Sequence, residues 1–97
     1  MRLRTEKGDL LAEVRDDRMV LARATGAQLN ACRLLKYIIP YGDTVFNQAQ
    51  ANDLADDIRI VRQDCRGTIL DDLLSEIEPL VAKLSSESLL YLWFEGD

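Results

Sequence analysis

Apolar residues recur at two spacings along this chain, every second position at both ends and every third or fourth position between them. In residues 1–15, Leu3 and Thr5 alternate with Arg2, Arg4 and Glu6. Beyond Lys7-Gly8-Asp9, Leu10, Ala12 and Val14 alternate with Leu11, Glu13 and Arg15. Alternation on either side of a Gly-Asp turn predicts a β-hairpin. Asp16-Asp17-Arg18 predicts a second turn, and Met19–Ala24 a third strand in preference to a short helix. After Thr25-Gly26 two periods compete. Ala27, Ala31, Leu34, Leu35 and Ile38 fit a helix, whereas LLKYII fits a buried strand. The segment is read as a helical turn over 27–32 and a strand over 33–39, stopped by Pro40.

From Asn47 the helical period is clear. Asn47 followed by Gln50 forms a capping-box pattern, with Phe46 and Ala51 placed as a hydrophobic staple. Ala51, Leu54, Ile58, Val61 and Cys65 make one apolar stripe, and Gly67 ends the helix. Thr68 starts a second helix, with Asp71 favouring its N-terminus. Leu70, Leu73, Leu74, Ile77, Leu80, Val81 and Leu84 form its broad apolar face, with Pro79 on the solvent side among Asp72, Glu76 and Lys83. A proline there bends a helix round its core. Ser85-Ser86-Glu87-Ser88 is a polar turn, and Leu89–Phe94 a closing strand. The predicted fold is one α+β domain over 1–97: an antiparallel sheet of an N-terminal hairpin or meander, a central strand and a C-terminal strand, packed on two antiparallel helices.

Composition narrows the function classes. The chain has 97 residues, enough for one core without staples. Its net charge of −5 and scattered basic residues argue against nucleic acid and favour a basic protein surface as partner. No segment is long and apolar enough for a membrane span, and MRLRTEKGD carries no signal-peptide core, so a cytoplasmic protein is expected. Cys32 and Cys65, 33 positions apart, read as small buried hydrophobes. The chain contains no histidine, which removes the commonest general base and metal ligand. No cofactor, metal site or catalytic residue is expected.

The stretch YIIPYGDTVFNQAQ offers the one loop-like candidate for a ligand or partner contact. Tyr37, Tyr41, Asp43, Thr44 and Asn47 could converge there, above a helix N-terminus suited to anions. The same residue types are also what a capped turn requires. Carboxylates at Asp53, Asp56, Asp57 and Asp64, and at Asp71, Asp72, Glu76 and Glu78, read as solvated helix faces, with an acidic docking surface as the lesser alternative. The element PYGDTVFN resembles one carried by small uncharacterised bacterial proteins. The resemblance covers Pro40–Asn47 and the Tyr91–Asp97 ending, and it implies no activity.

The C-terminal strand is apolar on both faces. Leu89, Tyr91 and Trp93 point one way, and Leu90, Leu92 and Phe94 the other. A two-layer domain leaves one sheet face without helices, so Leu89, Tyr91 and Trp93 form a candidate homodimer interface. Residues 19–32 folding across that face would be the intramolecular alternative. The expected function is a small non-enzymatic protein-interaction domain that self-associates. The alternatives are a small-molecule-binding protein or histidine-free enzyme using the Tyr41–Asn47 turn, and an acidic inhibitor or immunity-type protein for a basic toxin.

Overall fold

The computed structural model describes residues 1–16, 20–23, 32–35 and 43–95. Strand β1 (Arg2–Thr5) and strand β2 (Leu10–Glu13) form the expected hairpin. Its turn is closed by Gly8 N donating to Thr5 O at 2.9 Å and Asp9 N to the Thr5 hydroxyl at 3.1 Å. Gly8 has φ +90°, an angle that costs a glycine little. The C-terminal strand β4 (Leu90–Glu95) pairs antiparallel with β1, and β3 (Asp43–Phe46) pairs antiparallel with the other side of β4. The sheet order is β2-β1-β4-β3.

Helices α2 (Ala51–Asp64) and α3 (Ile69–Ser86) cover one face of this sheet. Leu3, Phe46, Leu90, Leu92 and Phe94 meet the apolar stripes of both helices in a single core. Phe46 and Phe94 pack edge to face at 5.6 Å between ring centroids, a favoured aromatic geometry. The helix signals behave as their chemistry requires. Gln50 Oε1 accepts from Asn47 N at 2.9 Å, the return arm of a capping box, and a 3-10 turn (Gln48–Gln50) leads into α2. The Thr68 hydroxyl accepts from Asp71 N at 3.3 Å, and Asp71 Oδ2 accepts from Gly67 N at 3.1 Å. Pro79 is exposed within α3, and both cysteines are buried with no disulfide between them.

Three local expectations change. Residues 20–23 form a short helix, α1 (Val20–Arg23), and not a strand. The cause is Asp16, whose carboxylate accepts from Val20 N at 2.8 Å and Leu21 N at 2.9 Å, so those amides are satisfied without a ladder partner. Residues 33–35 bend into a 3-10 turn where a strand was expected, while 27–31 and 36–39 lie outside the described residues. The third strand of the sheet comes instead from Asp43–Phe46, read from sequence as part of a turn.

A buried carboxylate explains the bend at 33–35. Asp57 on α2 is 1% exposed, and it accepts from Arg33 N at 2.9 Å, Leu34 N at 2.7 Å and Leu35 N at 3.1 Å. Three consecutive amides that a strand would spend on its neighbour are spent on one side chain. The expectation that Asp57 lies on a solvated face is therefore overturned. Asp53, one turn earlier, stays half-exposed and pairs with the Arg33 guanidinium at 3.2 Å.

Candidate functional site

Strand alternation puts every second residue of the sheet on the face away from the helices. Two cross-strand rows follow from the register. One runs Glu13, Arg2, Trp93, Val45; the other runs Leu10, Arg4, Tyr91. Tyr91 and Trp93 are half-buried and Val45 is exposed. Glu95 and Asp43 form a third pair beyond Trp93.

A bulge in β2 enlarges the apolar part of this face. The register shifts between Leu3 and Arg4, so that Leu10 opposes Arg4 while Ala12 opposes Leu3. Strict alternation would aim Leu10 at the core with Ala12. The extra residue turns it out beside Leu11, and the two are 53% and 47% exposed. Leu10, expected on the inner face of the hairpin, thus belongs to the open face. Neither it nor Val45 was identified from sequence, because a bulge has no composition signal and Val45 lay within an apparent turn.

Arg2, Arg4, Glu13 and Glu95 on this face are paired among themselves. Arg2 Nε donates to Glu13 at 2.8 Å and Arg2 Nη1 to Glu95 at 3.1 Å, while Arg4 Nη2 donates to Glu95 at 3.0 Å. The Glu13 hydrogen bond first, and the charge of Glu95 next, hold the Arg2 guanidinium above its already high pKa. The arginines therefore form a fixed column along β1, with the aromatics of β4 on one side and the leucines of β2 on the other.

The residues predicted from the PYGDTVFN stretch do not gather at one point. Tyr37 and Tyr41 lie outside the described residues. Asp43 is exposed at the start of β3 and faces the open side, opposite Glu95. Thr44 pairs with Phe94 on the helix side, and Asn47 has left the strand to start the 3-10 turn. Consecutive strand residues point to opposite faces, so Asp43 and Thr44 cannot share a ligand. Leu89 also departs from the predicted row with Tyr91 and Trp93. It precedes β4 in a left-handed conformation, φ +63°, and is exposed. The reversal from α3 into β4 takes its positive φ at a leucine, since no glycine is available there.

The helix carboxylates have mixed roles. Arg62 on α2 bridges to α3, donating from Nε to Asp71 at 2.7 Å and lying 2.9 Å from Glu78 through Nη1. This hydrogen bond from Arg62, and then the Gly67 N–H, hold Asp71 below the usual aspartate range. Among the described residues no group of three or more His, Cys, Asp or Glu is placed to hold a metal ion. A shallow groove of about 450 Å³ lies between α2 and α3 where Ala51, Ala55, Ala82 and Ser85 leave room. Among the described residues, no helix is long and apolar enough to cross a membrane. No family model, curated protein or solved structure matches this chain.

Proposed function

We propose that this chain is a small, non-enzymatic protein-interaction domain that self-associates through the open face of its sheet. The observation that carries this reading is the grouping of Leu10, Leu11, Val45, Tyr91 and Trp93 on the helix-free face, across three of the four strands. Buried tyrosine and tryptophan each remove ~150–250 Å² from water, so covering this face stabilises whatever covers it.

The cover does not come from the described part of residues 19–32. Leu21 and Cys32 join the helix-side core, and Asp57 holds the following residues on α2. Residues 19 and 24–31 of that segment lie outside the described residues, and a second copy of this chain is the occupant taken here. Arg2 and Arg4 stand with Glu13, Glu95 and Asp43 on this face, so it carries both signs. A twofold copy can set cation against carboxylate or ring.

Size exclusion coupled to light scattering at micromolar concentration tests this. Wild type should show twice the 11.0 kDa chain mass, and Trp93→Glu should show 11.0 kDa with an unchanged helical circular dichroism spectrum. A wild-type mass of one chain would overturn it.

A further inference from the structure

We draw no further inference here: the strongest candidate, the open sheet face around Arg4, whose buried Nε has no hydrogen-bond partner among the described residues, belongs to the site already described, and nothing in the structure shows what covers it.

Discussion

The carboxylate of Asp57 accepts the backbone N–H of Leu34 at 2.7 Å, and this contact ties a segment without regular structure to the first long helix. Because Asp57 also takes the amides of Arg33 and Leu35, it does for residues 33–35 what a neighbouring strand would otherwise do. Removing it leaves three donors without this partner, the Leu35 amide in a buried site and the other two in part-buried ones. A buried donor without a partner costs about 1–3 kcal/mol, and hydrogen bonds to a charged group are the stronger ones.

Asp57→Ala should therefore lower the free energy of unfolding by about 3–5 kcal/mol, the range of a broken buried network. Asp53→Ala removes only the exposed ion pair with Arg33 and should cost under ~1 kcal/mol. Urea denaturation of the two variants checks the contrast. Equal losses would show that the buried carboxylate contributes nothing beyond its surface neighbour.

A second prediction concerns acid. Asp71 is depressed by the Arg62 hydrogen bond and the Gly67 N–H, so its ionised form is favoured in the folded chain. Such a group contributes stability above its unfolded pKa, ~3.9, and that contribution is lost as pH falls through the lower folded value. Thermal melts taken downward through this window should decline more steeply for wild type than for Asp71→Asn. Parallel declines would remove Asp71 from the acid response.

Leu89 gives a prediction of opposite sign. A left-handed residue with a side chain carries roughly 1–2 kcal/mol of strain, and this leucine is exposed and has little packing to lose. Leu89→Gly relieves the strain but adds freedom to the unfolded chain, worth about 0.5–1 kcal/mol. The net change should be a gain of up to ~1 kcal/mol by thermal or chemical denaturation. A clear loss would mean that the Leu89 side chain makes a stabilising contact in solution.

The helices and the hairpin were legible because their signals are local. The Leu54–Ile58–Val61 stripe, the Asn47–Gln50 pair and Thr68 each read correctly within a few residues of sequence. The sheet was half legible. β1, β2 and β4 announced themselves by alternation, whereas β3 was hidden by Pro40, Gly42 and Asp43 just ahead of Thr44-Val45-Phe46. Two features depended on tertiary partners. Asp57 follows Leu54 by three positions, at the margin of the apolar stripe, and only the amides of residues 33–35 decide that it is buried. Leu10 has the alternation of an inward residue, and only the register of β2 against β1 turns it outward. The candidate face was accordingly read through Tyr91 and Trp93, while its leucine flank and Val45 emerged from strand pairing.

Trp93 is the only tryptophan in the chain, so its fluorescence reports directly on the face at the centre of this account. On dilution from high micromolar to nanomolar concentration, the emission maximum should move to longer wavelength as the indole becomes wet. The midpoint should coincide with the fall in mass from two chains to one 11.0 kDa chain. An emission maximum that stays fixed over that range, with the mass of a single chain throughout, would contradict the account.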